Sequence, residues 1–253
     1  MALRNKSLFL YGFEVTSENR YIEFGAVIGE IPGSGSRTAI LNLGFYSLSS
    51  LGLEIERAMA AADPQRIYSV TSDRTYSAGL ENRVTIATNG TFLSIYFLTG
   101  NPSNLASIIG FNTADYTGAT SYLGATTTGT SLIPFYNAYT YLSPEMMKKN
   151  FGALNVAASG LKESITFSLQ HFWQAQFRFI PEADIPTLWS PLVDWMIQQR
   201  ELEFTPDITA GNTYFSGTLE GPNEGLDMTL TEQIPQFPFN YQTPLMKFRQ
   251  RSI

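Results

Sequence analysis

The feature that most limits the fold is the brevity of the apolar runs. Leu8 to Phe13, Ile22 to Ile28 and Thr38 to Leu43 are rich in β-branched and aromatic residues, and glycine-containing segments part them. Runs of that size suit strands, typically about 5–6 residues long, and fall short of a buried helix. Ile67 to Thr71, Val84 to Ala87 and Thr91 to Phe97 continue the pattern, as do Leu202-Glu203-Phe204, Tyr214 to Leu219, Met228 to Leu230 and Leu245 to Phe248. Glu163 to Leu169 and Gln174 to Ile180 alternate polar and apolar residues, as antiparallel strands with one wet face do. The expected fold class is α+β, mainly β: antiparallel sheets or a sandwich with a few short helices, in two β-rich domains.

Helical spacing interrupts the strands at three places. Leu48, Leu51, Ile55 and Met59 recur at steps of three and four, with Ala58 and Ala62 beside them. Ser49 or Ser50 is the expected cap of that helix, and Asp63-Pro64 its stop. Asn104 to Ile109 reads as a short second helix closed by Gly110, since glycine takes the left-handed terminal conformation without a Cβ penalty. Ile185, Leu188, Trp189, Leu192, Val193 and Met196 form one apolar stripe, which predicts an amphipathic helix over about 183–198. Ile31-Pro32-Gly33-Ser34-Gly35-Ser36 reads as a flexible hairpin-like loop. Asn89-Gly90, between two strand-like runs, is a strong hairpin signal because both residues tolerate positive φ.

At 253 residues the chain exceeds the usual single domain of about 100–200. From Gly118 to Ser131 it is almost entirely Gly, Ala, Ser and Thr, a composition suited to a linker or an arm lying on a neighbour. The expected organisation is an N-terminal β-rich α+β domain over 1–120, a linker or arm over 118–131, and a C-terminal β domain over 132–253 ending in an arm. Phe237-Pro238-Phe239-Asn240-Tyr241 would belong to that arm and dock on a partner. Lys247, Arg249 and Arg251 either pair with acidic neighbours or guard a solvated strand edge.

Charged residues make up 15% of the chain, against about 25% in an ordinary soluble domain. Ser, Thr, Asn, Gln and Gly take their place, so the surface is weakly charged and suited to packing against other subunits. Cysteine is absent, which excludes disulfides, thiolate metal sites and cysteine nucleophiles. The net charge of −6 argues against nucleic-acid specificity, because phosphate contacts need Lys and Arg. No apolar run reaches the ~18 residues of a membrane-spanning helix, so no membrane insertion is expected. Leu8-Phe9-Leu10-Tyr11 is broken by Gly12 and Glu14 and makes a poor signal peptide, which points to synthesis and use from the cytoplasm.

Motifs for chemistry are sparse. A serine triad needs a histidine; His171 is the only one, and no Gly-x-Ser-x-Gly elbow accompanies it. Glu54/Glu56, Glu201/Glu203 and Asp184/Asp194 are the carboxylate pairs a glycosidase would need about 5–9 Å apart; solvated surface carboxylates are the favoured reading. Gly33-Ser34-Gly35 lacks the remainder of a phosphate-binding loop, and there is no calcium-loop motif. Asn5-Lys6-Ser7 and Asn89-Gly90-Thr91 match the glycosylation sequon, without the secretion signal that would give it meaning. Trp173, Trp189 and Trp195 are the candidate sugar platforms, with packing in a core or subunit contact favoured for Trp189 and Trp195. No catalytic, metal-ligating or cofactor-binding residue is assigned, and no cofactor is expected.

Leu41-Asn42-Leu43-Gly44-Phe45-Tyr46-Ser47-Leu48, then a helix and strands, then Leu105-Ala106-Ser107-Ile108-Ile109-Gly110-Phe111-Asn112-Thr113-Ala114-Asp115-Tyr116-Thr117-Gly118, resembles a module of tailed-bacteriophage structural proteins. In the second half, Ala157-Ala158-Ser159-Gly160, two strands, an aromatic-rich helix, Phe204-Thr205-Pro206-Asp207 and a closing Leu245-Met246-Lys247-Phe248-Arg249 are similar to phage tail-region proteins of the tail tip. The two likenesses span Asn42 to Arg249. The resemblance implies a virion structural protein of the tail-tip or distal-tail-region family, assembled in the bacterial host cytoplasm. Its partners would be copies of itself in a ring or similar assembly and other tail proteins. Within the same class, the alternative is a head-to-tail connector, decoration or tail tube protein. A carbohydrate- or receptor-binding adsorption protein comes next, supported if tyrosines and tryptophans cluster on one exposed face. A glycan-degrading enzyme acting through Glu201 or Glu203 is the third choice.

Overall fold

The computed structural model describes residues 8–72, 83–125, 145–156, 162–175, 180–205, 215–220, 232–233, 239–243 and 245–250. In chain order, β1 (Leu8–Tyr11), β2 (Phe13–Val15), β3 (Tyr21–Gly25), β4 (Arg37–Ile40) and β5 (Gly44–Tyr46) precede helix α1 (Leu48–Ala62). β6 (Tyr68–Ser72), β7 (Val84–Thr88), β8 (Leu93–Tyr96), β9 (Asp115–Ala119) and β10 (Ser121–Leu123) follow. The long strands β11 (Glu145–Val156) and β12 (Lys162–Ala175) come next, then β13 (Ile180–Pro181) and helix α2 (Ser190–Ile197). β14 (Leu202–Thr205), β15 (Phe215–Leu219), β16 (Glu232–Gln233), β17 (Asn240–Gln242) and β18 (Met246–Gln250) complete the order. The fold is α+β and mainly β, with antiparallel sheets and few helices, as the short apolar runs require.

The chain divides into two compact units. The first comprises Leu8–Ile133 with Glu201–Tyr214; the second comprises Met1–Ser7, Pro134–Arg200 and Phe215–Ile253. The first part of the expected linker lies in strands: β9 covers 115–119 and β10 covers 121–123, and a hydroxyl-rich sequence can pair as well as an apolar one where its side chains face water. Residues 126–131 lie outside the described residues.

In the first unit, β4-β3-β8-β9 make one antiparallel sheet and β10-β7-β6 another, while β2 pairs with β5 and β1 with β14. The expected single strand from Leu8 to Phe13 is broken at Gly12 into β1 and β2, which serve different partners. The core gathers Ile22, Phe24, Leu41, Leu51, Ile55, Met59, Ile86, Leu93 and Ile95, all fully buried, at about 1.5–3 kcal/mol for each large side chain taken from water. Phe111 and Tyr116 stack edge-on at 5.3 Å, and Tyr116 meets Tyr122 at 5.5 Å, so aromatic contacts run from β9 to β10.

Helix α1 follows the expected stripe, with Leu48, Leu51, Ile55, Ala58 and Met59 buried. Its cap is Ser47, not Ser49 or Ser50. Ser47 Oγ accepts from Ser50 N at 3.2 Å while Ser50 Oγ accepts from Ser47 N at 2.8 Å, a reciprocal box that places Ser50 three residues inside the helix. Asp63 ends the helix as expected. The segment after Asn104 forms a turn and no helix. Phe111 N bonds back to Ala106 O, and Gly110 takes φ +76°, so the glycine closes the turn as it would have closed a helix.

Asn89-Gly90 does not make a hairpin. β7 and β8 belong to different sheets, and the dipeptide carries the chain between them. Asn89 instead holds Ile67 with two bonds, Ile67 N to Oδ1 at 2.9 Å and Asn89 N to Ile67 O at 3.0 Å, which extend the β6–β7 ladder by one rung.

In the second unit, β15-β18-β12-β11 are neighbours in one antiparallel sheet. β11 was invisible in the sequence because Met146-Met147-Lys148-Lys149 shows no strict alternation. It pairs with β12 along its whole length, with a register shift between Phe151 and Gly152. Glu163 to Leu169 and Gln174 belong to a single strand, β12; residues 176–179 lie outside the described residues, and so does the run Met228 to Leu230. The stripe over 183–198 is helical in two styles: Ile185–Trp189 winds as a π-helix, with Ser190 N bonding to Ile185 O, and α2 continues it. Trp189, Leu192, Val193, Trp195 and Met196 are buried.

The expected C-terminal arm is sheet where it is described. β17 lies between β13 and β16, and β18 between β15 and β12. Lys247 and Arg249 therefore sit on an interior strand, which overturns the edge-guarding alternative. Both pair with Glu220, at 2.7 and 3.0 Å, as the other alternative required. Phe237 and Arg251 lie outside the described residues.

Candidate functional site

The three carboxylate pairs are drawn into separate structural duties. Glu54, buried in α1, accepts from Asn42 N at 2.7 Å and from Arg57 Nη2 at 2.6 Å. Burial pushes its carboxyl up, but the Arg57 guanidinium and the Asn42 N–H outweigh burial and hold it below the usual glutamate range. A general acid needs the opposite shift. Glu56 turns to a different strand and accepts from Val70 N at 2.7 Å. Asp184 precedes the π-turn and is half-buried, while Asp194 is exposed within α2.

Glu201 and Glu203 are both buried, against the expectation of solvated carboxylates. Glu203 Oε1 accepts from Ser49 N at 2.6 Å, so it satisfies one of the donors that the first turn of α1 leaves open. The sequence holds no local signal for this: the two residues are 154 positions apart, and Glu203 lies on β14, which pairs with β1.

A second group that sequence reasoning missed surrounds Asp63. Its carboxylate accepts from Arg66 Nη1 and Tyr68 OH, both at 2.8 Å, with Arg37 Nε at 3.7 Å. Burial raises the carboxyl, and the Arg66 and Tyr68 donors more than reverse that, holding it below the ordinary aspartate value. Burial together with Asp63 pushes the Tyr68 hydroxyl far up, so it stays protonated. Arg37 also bonds Glu30 at 2.9 Å; Glu30 in turn accepts from Ala26 N and Val27 N and fixes the turn after β3. Glu23 Oε1 accepts from Gly33 N at 3.0 Å and Ser36 Oγ at 2.6 Å, so the glycine-rich loop over 31–36 is tied down by carboxylates.

His171 lies within β12, opposite Lys148 in the register. Trp189 and Trp195 are buried, as packing required, and Arg200 lies 4.9 Å over the Trp195 ring. A cavity of about 330 Å³ lies against α1, between Leu48, Leu51, Ile55, Val70, Val84 and Ile109, with Ser49, Thr71 and Ser72 contributing hydroxyls. No titratable side chain is among its described lining residues. Among the described residues no group of His, Asp and Glu is placed to hold a metal ion. No helix there is long and apolar enough to cross a membrane.

What the first unit does offer is uncovered apolar surface at one corner. Ile40, Leu43, Phe45 and Leu53 are between 41% and 57% exposed. They lie where α1 packs on β4 and β5, a corner pinned by Asn42 N to Glu54 and by Arg57 Nη2 to Ile40 O at 3.2 Å. Among the described residues β4 pairs with β3 and β5 with β2, and these side chains lie beside those pairs. Exposed apolar side chains gathered at one place suit protein–protein packing. No protein-family model matches the chain, and no curated protein sequence matches it.

Proposed function

We propose that the chain is a structural component of a tailed-phage virion, a tail-tip or baseplate ring protein of the distal-tail type that works by protein–protein packing. The observation that carries this reading is the exposed apolar corner of Ile40, Leu43, Phe45 and Leu53, where α1 packs on β4 and β5. With 15% of its residues charged, the chain has few charges to desolvate when such a corner packs on another subunit. The likeness of Leu41 to Leu48 and of Leu105 to Gly118 to phage structural modules supports the same reading, and the first of these segments contains Leu43 and Phe45 of the corner.

The test is immunogold electron microscopy of particles from the producing lysate, with antibody against this chain. Gold confined to the far end of the tail is the expected result. Gold on the capsid, neck or tube would replace the tail-tip position with a decoration, connector or tube role. Unlabelled particles, with the chain free in the lysate, would overturn the virion reading.

A further inference from the structure

We propose that Asn89 is a site of spontaneous deamidation that the native fold holds shut. Where glycine follows asparagine, no side chain shields the next peptide nitrogen, and that nitrogen can attack the asparagine side chain. The Gly90 nitrogen gives up its proton and bonds to Cγ of Asn89. The Cγ–Nδ2 bond breaks, ammonia leaves, and a five-membered imide closes across the two residues. Water then opens either imide carbonyl and leaves aspartate or isoaspartate at position 89. One water is consumed and one ammonia released, with no oxidant or reductant.

Asn89 is exposed, so water reaches it, and the barrier is conformational. Both reacting groups are tethered to different partners. Ile67 N donates to Asn89 Oδ1 at 2.9 Å and Asn89 N donates to Ile67 O at 3.0 Å, holding the side chain across the β6–β7 ladder. Gly90 N donates to Thr88 Oγ1 at 3.1 Å, which occupies the nucleophile. The vulnerable glycine lies close under the Arg66 side chain. A Cβ at Gly90 would stand 2.9 Å from Arg66 Nε, and Arg66 is fixed by its 2.8 Å pair with Asp63. Reaction therefore proceeds from the state in which this end of β6–β7 has opened. Isoaspartate adds a methylene to the main chain between β7 and β8, so a reacted molecule cannot restore the rung to Ile67.

The full chain would be incubated at mildly alkaline pH, folded and in unfolding urea, and the peptide containing Asn89 followed by mass spectrometry. Conversion in the folded chain is expected to be slower by about tenfold or more, as local opening equilibria of ordered segments imply. Thr88→Val should speed conversion in the folded chain and leave the rate in urea unchanged, while Thr88→Ser, which keeps the hydroxyl, should restore the slow rate. Equal rates in the folded and unfolded chain, or a Thr88→Val rate equal to wild type, would overturn the proposal. If Thr88→Val does not fold by circular dichroism, amide exchange at Gly90 in the wild type decides: slow exchange supports a tethered nucleophile, and exchange at the unstructured rate refutes it.

Discussion

Asp63 gathers several donors in the first unit, and Asp63→Asn removes its charge with little change of shape. Asp63 ends α1, is 3% exposed, and receives Arg66 and Tyr68 at 2.8 Å, Gln65 N at 3.4 Å and Arg37 at 3.7 Å. Breaking a buried ion pair costs about 3–5 kcal/mol when a charge is left stranded. Arg66 and Arg37 keep roughly a quarter of their side chains in water, and an asparagine oxygen still accepts one bond, so the expected loss is about 2–3 kcal/mol. With a urea slope of about 1–3 kcal/mol/M, the midpoint falls by about 0.7–3 M. Far-UV circular dichroism follows the loss, and tryptophan fluorescence reports on the other unit, to which Trp173, Trp189 and Trp195 belong. The sign with pH is fixed. A carboxyl held below its ordinary value of 3.8 contributes its full stabilisation above that pH and loses it as pH falls through the lower folded value. Asparagine does not titrate, so the gap between wild type and variant is widest at neutral pH and shrinks below 3.8. A neutral-pH loss under about 0.5 kcal/mol, typical of a plain surface substitution, would refute the reasoning. So would a gap that stayed constant into acid.

Two further substitutions probe the start of α1. Ser47→Ala opens the capping box and should cost about 1 kcal/mol in urea melts, with Ser47→Asp recovering most of it because aspartate also caps; no recovery would mean the serine acts through packing alone. Glu203→Gln retains an acceptor for Ser49 N but removes the charge from the helix terminus, at a cost of about 0.3–2 kcal/mol. Glu203→Leu removes the acceptor as well and should cost more, near the ~1.5–3 kcal/mol of a charge-assisted bond; equal melts for the two variants would show that the acceptor is immaterial there.

What the sequence determined by itself is what neighbours a few residues apart can settle. The spacing of Leu48, Leu51, Ile55 and Met59 places them on one face of any helix, and Asp63-Pro64 stops it in any context, so α1 was legible to within its cap. The stripe from Ile185 to Met196 and the strand-sized apolar runs were legible for the same reason, and the runs carried the fold class. Partner choice was not legible. Asn89-Gly90 has the local chemistry of a hairpin, yet β7 finds β6 and β10 while β8 finds β3 and β9. Gly118-Ala119 looks like linker and lies in a strand; Lys247 and Arg249 read equally as an edge or as partners of acidic neighbours, and they lie inside a sheet paired with Glu220. Glu203 reads as a solvated carboxylate and reaches a helix terminus 154 residues away. In each case local geometry allows the residue either role. The choice falls to long-range burial and to the requirement that every buried donor and acceptor find a partner, and both depend on which strands meet. Only the tertiary structure decides that.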